Sequence, residues 1–297
     1  MWKGEKSPPQ DPGTKHRNLG HPPNNIDTSR SQNFIYDQLS RITGALTTST
    51  HATSPTHCWG ESYTLDAWAN LNSIAATTNS AYTGCTQESG FSQTASTSNK
   101  LPGFAYDASG NATGNATGDG VNTYTWGAES LLKVAANMTY LYDGDGRRVA
   151  KASTANPPVP FKFYWYGAGG DILAETAGTC ALQNEYVFFG GSRIALVPAA
   201  GNPNYYVEDL LGTSRVLTSS TGTVCYDADF YPYGGQRSYT ETCRQFYKFE
   251  GKERDSETGN DDFGVRYYSN RFGRWLSADW SSVPVASPTP TSLTPRP

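Results

Sequence analysis

The chain has 297 residues, of which 17% are charged and 13% aromatic, with 19 Tyr and 30 Gly. Its formal net charge is −4, which provides no electrostatic footprint for nucleic acid or an anionic membrane. Nowhere does an apolar run reach the roughly 18 residues that a membrane-spanning helix needs. Tyr, Thr, Val and Gly are abundant and strong helix formers are sparse, a balance that favours strands joined by tight turns.

Residues 1–30 hold Pro8, Pro9, Pro12, Pro22 and Pro23 among polar neighbours. Such a segment buries too little apolar area to offset its ordering entropy, so it is expected to be disordered. The opening MWKGEKSPPQDPG has no apolar run behind its charges and does not read as a secretory signal peptide. From Asn33, NFIYDQLSRITGAL alternates as a strand, turns at Asp37 and returns. A second unit, WGESYTLDAWANLNSI, does the same around Asp66, and residues 75–100 read as loop or a poorly formed unit.

The repeat then becomes regular. Tyr106, Tyr124, Tyr142, Tyr164, Tyr186, Tyr206 and Tyr226 step by 18, 18, 22, 22, 20 and 20 residues. A period held over so many units predicts an array of like supersecondary elements. In TYLYDGDGRRVAK, Met138, Tyr140 and Tyr142 share one face and Thr139 and Leu141 the other. Gly144 and Gly146 supply the positive φ that the turn needs, and the chain then returns antiparallel. Phe161, Phe163 and Trp165 share a face in the next unit. One such hairpin is marginal alone, but stacked hairpins bury a common face. The Tyr-Asp pairs, Tyr106-Asp107, Tyr142-Asp143 and Tyr226-Asp227, mark the repeat. Their aspartates read as acceptors for backbone N–H groups of the following turn rather than as catalytic groups or metal ligands.

Other candidates are weak. The histidines, His16, His21, His51 and His57, form no metal-ligand spacing and no catalytic arrangement. Gly167–Gly170 lacks the Lys-Ser/Thr and helix of a phosphate cradle. The run Glu253, Arg254, Asp255 and Glu257 is expected to be a solvated turn with local ion pairs of little net energy. Five cysteines preclude a complete disulfide framework. Cys225 and Cys243 lie where neighbouring strands could join them, but buried free thiols are the preferred reading. Trp126, Trp165 and Tyr166 are the candidates for stacking on a carbohydrate ring, set against simple packing. No cofactor is implied.

The most identifying string is YKFEGKERDSETGNDDFGVRYYSNRFGRWLSADW, Tyr247 to Trp280. Together with the Tyr-Asp units and YYVEDLLGTSRVLTSSTGTVCYDADFYPYGG, it resembles an RHS/YD-repeat protein with the RHS repeat-associated core domain. The resemblance implies an all-β fold: an array of antiparallel β-hairpins forming a curved sheet, part of an RHS-type shell. It divides the chain into a disordered head (1–30), repeats (31–203), core domain (204–280) and a disordered Ser/Thr/Pro tail (281–297).

By family, the shell encloses a C-terminal polypeptide, commonly a toxin, in bacterial competition. Its partners would be other shell segments, that polypeptide or carbohydrate. Secretion or a cell-surface location is implied. Many core domains also cut the chain beyond themselves by aspartyl-protease-like chemistry. The family's arginine falls on Arg266 and its first aspartate on Asp279. The second aspartate, in an Asp-Pro-x-Gly string, has no counterpart here. The expectation is therefore no self-cleavage, with Arg266 and Asp279 left as an ion pair.

Overall fold

The computed structural model describes residues 19–20, 30–47, 58–77, 90–114 and 123–279. The rest of the head, the tail, all four histidines and Trp280 lie outside the described residues, whereas Leu19–Gly20 form a strand and Arg30 pairs with Asp227 and Asp229, against the expectation of disorder through residue 30. A first sheet of six strands holds β1 (Leu19–Gly20), β2 (Gln32–Tyr36), β3 (Ile42–Thr47), β4 (Gly60–Leu65), β5 (Leu71–Ala76) and β6 (Phe91–Ser92). A large sheet of twelve strands starts with β7 (Tyr124–Trp126), β8 (Leu132–Ala135), β9 (Met138–Tyr142), β10 (Arg148–Ser153), β11 (Pro160–Tyr166) and β12 (Ile172–Ala177). It continues through β13 (Leu182–Phe189), β14 (Ser192–Pro198), β15 (Asn204–Glu208), β16 (Ser214–Ser219), β17 (Val224–Phe230) and β18 (Gln236–Glu241). A small sheet of four, β19 (Glu253–Arg254), β20 (Asp261–Asp262), β21 (Tyr267–Ser269) and β22 (Arg274–Trp275), completes the molecule. Within each sheet every strand pairs antiparallel with its neighbour in sequence, and the large sheet runs without a break across 203/204. No α-helix occurs among the described residues.

One turn builds most of these hairpins. At Asp143 the amide donates to the Arg147 carbonyl at 3.0 Å, and the Gly146 amide donates back to the Asp143 carbonyl at 3.1 Å. The Asp143 carboxylate accepts from the amides of Asp145 and Arg147 at 3.0 and 2.9 Å. Asp37, Asp66, Asp107 and Asp209 repeat this pattern. The fourth turn residue takes positive φ, +77° at Gly146 and +79° at Gly212, and each hairpin shifts register there. This is a tight turn closed by a left-handed residue and a bulge. Asp227 behaves differently. It lies within β17 and accepts two bonds from Arg30 at 2.9 Å, while the turn comes later, at 231–235.

The large sheet has one covered face. Tyr124, Tyr140, Tyr164, Tyr186, Tyr206 and Tyr226 are buried on every second strand, β7 to β17, with Ala135, Leu196 and Leu217 on strands between them. The opposite face exposes Phe161, Trp165, Val187, Tyr205, Val207 and Val224. Cys225 and Cys243 form a disulfide, with Cα atoms 5.2 Å apart, and Cys58 is also disulfide-bonded. This corrects the expectation of free thiols: the chain leaving β18 turns back along β17, with the Thr242 and Cys243 amides both donating to the Cys225 carbonyl. Only Cys180 is a free cysteine among the described residues.

Candidate functional site: a buried charge cluster beneath the core strands

After β18 the chain folds back beneath the tyrosine face. Aromatic contacts seat it there. Tyr247 meets Tyr186 edge-on at 4.9 Å, with the Arg193 guanidinium 3.7 Å from the Tyr247 ring centre. Tyr267 stacks on Tyr140 at 5.8 Å. Phe272 and Leu276 join Leu101, Phe104, Leu132 and Tyr140 in one apolar cluster.

Between these anchors lies a cluster of charge. Arg148 of β10, 1% exposed, pairs with Glu253 at 2.8 Å, Asp255 at 2.7 Å and Asp262 at 3.1 Å. It also donates to the Tyr267 hydroxyl at 2.7 Å. Lys151 pairs with Asp255 at 2.7 Å and Glu257 at 2.9 Å. Lys162 of β11 pairs with Glu175 of β12 at 2.7 Å and with Glu253 at 3.0 Å. The hydroxyls of Tyr164, Tyr247 and Tyr140 donate to Glu253, Glu175 and Glu257 at 3.0, 3.0 and 2.8 Å.

Sheet cations therefore meet carboxylates of the returning segment, at 0% exposure for Asp255 and 4% for Glu253. The expectation of a solvated turn at Glu253, Asp255 and Glu257 is wrong. Its acids point inward because Arg148, Lys151 and Lys162 occupy the covered face. Taking Arg148, Lys151 and Lys162 against Glu175, Glu253, Asp255, Glu257 and Asp262, the formal sum is 3 − 5 = −2.

That surplus sets the titration. Burial alone would raise the Glu253 carboxyl, but Lys162, Lys151 and Arg148 outweigh it and hold Glu253 well below the usual carboxylate range. Asp262 goes the other way. Burial pushes it up to about 6 against the pull of Arg148, and the Asp255 charge adds to the rise. Burial likewise raises the hydroxyls of Tyr140, Tyr164, Tyr247 and Tyr267. The charged groups here pair with one another, although the buried Nε of Arg148 has no hydrogen-bond partner, so the arrangement fastens one layer to the next. No group of three or more His, Cys, Asp or Glu able to hold a metal occurs among the described residues.

The residues singled out from the sequence lie elsewhere. Arg266 and Asp279 are brought together at 3.4 Å, with Asp279 79% exposed and Arg266 lying 4.1 Å over the Trp275 ring. Asp107 and Asp143 hold turns. The Tyr106 hydroxyl accepts from the Leu101 amide at 2.9 Å, and the Tyr142 hydroxyl donates to the Leu132 carbonyl at 2.8 Å. Trp126 donates to the Ala112 carbonyl at 2.6 Å and packs against the apolar cluster. Trp165 stands 53% exposed on the open face, while the Tyr166 hydroxyl donates to the Arg148 carbonyl at 2.9 Å on the covered side. Trp126, Trp165 and Tyr166 thus form no common platform. Asn111, in a glycosylation sequon, is 1% exposed and donates to Asp107 and Ser130.

Sequence reasoning missed Arg148, Lys151, Lys162 and Glu175. One signal was available. In KFYWY, Lys162 alternates in phase with Tyr164, so a charge sits on the tyrosine face, where it needs a buried partner.

No protein-family model matches the chain. Toxin subunit YenC1 of Yersinia entomophaga is 32% identical over 48% of this chain and 16% of its own length. The tRNA nuclease WapA of Bacillus subtilis is 31% identical over 59% of this chain and 8% of its own. Teneurin-1 of Gallus gallus is 28% identical over 59% and 7%. Among solved structures, the crystal structure of TcdB2-TccC3 superposes with a TM-score of 0.61 at 20% identity, covering 84% of this chain and 14% of that one. The chain thus spans 16% or less of the length of these relatives. Its sheet of tyrosine-led hairpins has the shell fold of those toxin structures, and these similarities are consistent with an RHS/YD-repeat protein.

Proposed function

We propose that this chain is a non-catalytic length of RHS shell wall that encloses or presents a C-terminal polypeptide, of the toxin-effector kind used in bacterial competition. The observation that carries this reading is the locked layer on the wall's covered face. Arg148, Lys151 and Lys162 are matched by carboxylates of the returning segment, so these charges are committed to holding it. In this reading residues 31–203 are wall and 204–280 the core that closes on it. Arg266 and Asp279 serve as an ion pair, and other shell segments and the enclosed polypeptide are the partners. The Cys225–Cys243 disulfide supports a location outside the reducing cytosol.

The test is a passenger polypeptide fused after Pro297. Enclosure predicts that the passenger resists protease while the wall is intact and is digested once Arg148→Met loosens the core. Digestion at the rate of the free passenger contradicts it. Intact mass after prolonged incubation tests the non-catalytic part: one uncut species is expected, and a cut after the core contradicts it.

A second reading, carbohydrate binding on the outer wall, rests on Trp165, which is 53% exposed on the same face of β11 as exposed Phe161. A glycan array with signal lost on Trp165→Ala supports it, and an array without signal removes it.

A further inference from the structure

The Cys225–Cys243 disulfide sits at the root of the returning segment, where it leaves the wall. β18 ends at Glu241, and two residues later Cys243 is tied back to β17. Noncovalent support at this root is thin. The Thr242 and Cys243 amides and the Thr242 hydroxyl all donate to one acceptor, the Cys225 carbonyl, at 2.8, 3.1 and 3.1 Å. Gln245 is buried and lies near enough to the Tyr226 hydroxyl to pull on its ionisation, yet no hydrogen bond joins them and neither atom of the amide is paired. Burying that amide costs stability rather than adding to it. From Phe246 onward the hold is firmer. The Phe246 carbonyl accepts from the Arg254 amide at 2.8 Å, the Lys248 carbonyl from the Ser214 amide at 3.1 Å, and the Glu250 amide donates to the Thr213 hydroxyl at 3.1 Å, before the charge cluster begins.

The bond is also within reach of solvent. Both cysteines are half-buried, and Cys243 lines an open groove of about 550 Å³. Arg244, Lys248 and Arg254 outnumber Glu241 and Asp255 along that groove. A surplus of positive charge draws a thiolate toward the disulfide and stabilises the thiolate that leaves it.

We propose that this disulfide is a redox latch: a thiol reductant of the glutathione class opens it in the folded chain and frees residues 242–245 from β17, while 246–276 stay seated. The reductant's thiolate attacks one sulfur, and the other cysteine leaves as a thiolate that takes up a proton. A second reductant thiolate attacks the mixed disulfide and expels the remaining cysteine, which is protonated in turn. Two electrons pass to the protein, and the two reductant molecules are left joined as their own disulfide. The latch does not depend on what the wall encloses. It gives the chain a tied root in oxidising surroundings and a loose one in a reducing compartment.

Native-state thiol alkylation and hydrogen exchange on the full chain, with and without excess reduced glutathione and no denaturant, test it. The expected result is that Cys225 and Cys243 both become alkylated and that exchange across 242–245 speeds up at least ~10-fold, as the loss of a covalent tie allows. The Ser214 and Arg254 amides, which donate to the Lys248 and Phe246 carbonyls, should keep their protection. Cys225→Ser with Cys243→Ser should exchange fast at 242–245 whether or not glutathione is present, which separates this bond from the disulfide of Cys58. Failure of glutathione to open the bond in the folded chain overturns the proposal. So does reduction that leaves exchange at 242–245 unchanged, or that loosens the Ser214 and Arg254 amides equally, and so does a double variant that still responds to glutathione.

Discussion

Asp143 shows what the repeat requires of its aspartate. The carboxylate takes two backbone N–H groups and the Arg147 side chain at 2.9 Å, which pulls its ionisation below the ordinary carboxylate range. Yet Gly127 and Gly167 close the same turn through backbone bonds alone. Asp143→Ala should therefore leave the hairpin folded and lower the melting temperature by only about 2–4 °C, while Gly146→Val, at φ +77°, should cost more. Thermal melts of the two variants give the order.

Asp262 and Glu253 pull the pH dependence in opposite directions. Glu253 lies below its ordinary value, so its contribution is complete above about pH 4.3 and is lost as pH falls. Asp262, pushed up to about 6, keeps its proton when the unfolded chain has released one. Between about pH 4 and pH 6 the native state binds more protons at this site, so its contribution to stability falls as pH rises. Asp262→Asn should abolish that fall and be neutral or stabilising at pH 7 by up to about 2–3 kcal/mol. Urea unfolding at pH 4.5 and pH 7 reads both effects. A variant that loses more stability at pH 7 than at pH 4.5 contradicts the assignment.

At the scale of the strand and hairpin, the charge cluster decides how the layers hold. Arg148 serves three carboxylates at once, so Arg148→Met leaves buried negative charge without its cation and should cost about 3–5 kcal/mol. Released residues 247–276 would then become sensitive to protease before the wall does, visible as early cuts in limited proteolysis. The disulfide spans 18 positions, and replacing Cys225 and Cys243 by Ser should cost about 3 kcal/mol through a less constrained unfolded chain. The same urea curves measure it.

Turn, return and stacking were legible, because glycine, aspartate and alternation are local signals. The pairing of faces was not. In β11 the sequence separates Phe161, Phe163 and Trp165 from Lys162, Tyr164 and Tyr166, but the apolar set turns outward and the lysine goes in. What makes that stable is Glu253, 91 residues away, a distance at which no local pattern operates. The tyrosine series fails at one place for a related reason. It picks Tyr142, beside the bulged turn, where the wall buries Tyr140 on the same face.

Over the whole molecule, stability passes from strand to neighbouring strand, as in other repeat arrays. The unusual feature is that the array's own last segment supplies the cover for its inner face. Tyr186, Tyr140, Arg148 and Lys162 sit on strands β9 to β13, and their partners Tyr247, Tyr267 and Glu253 all follow β18. Wall and core should therefore open together. Native-state hydrogen exchange across the full chain tests this most directly. The account predicts that amides of β9–β13 and of residues 247–276 exchange with one common opening free energy, and that Arg148→Met lowers both together. A segment 247–276 that exchanges freely while β9–β13 stay protected would contradict it.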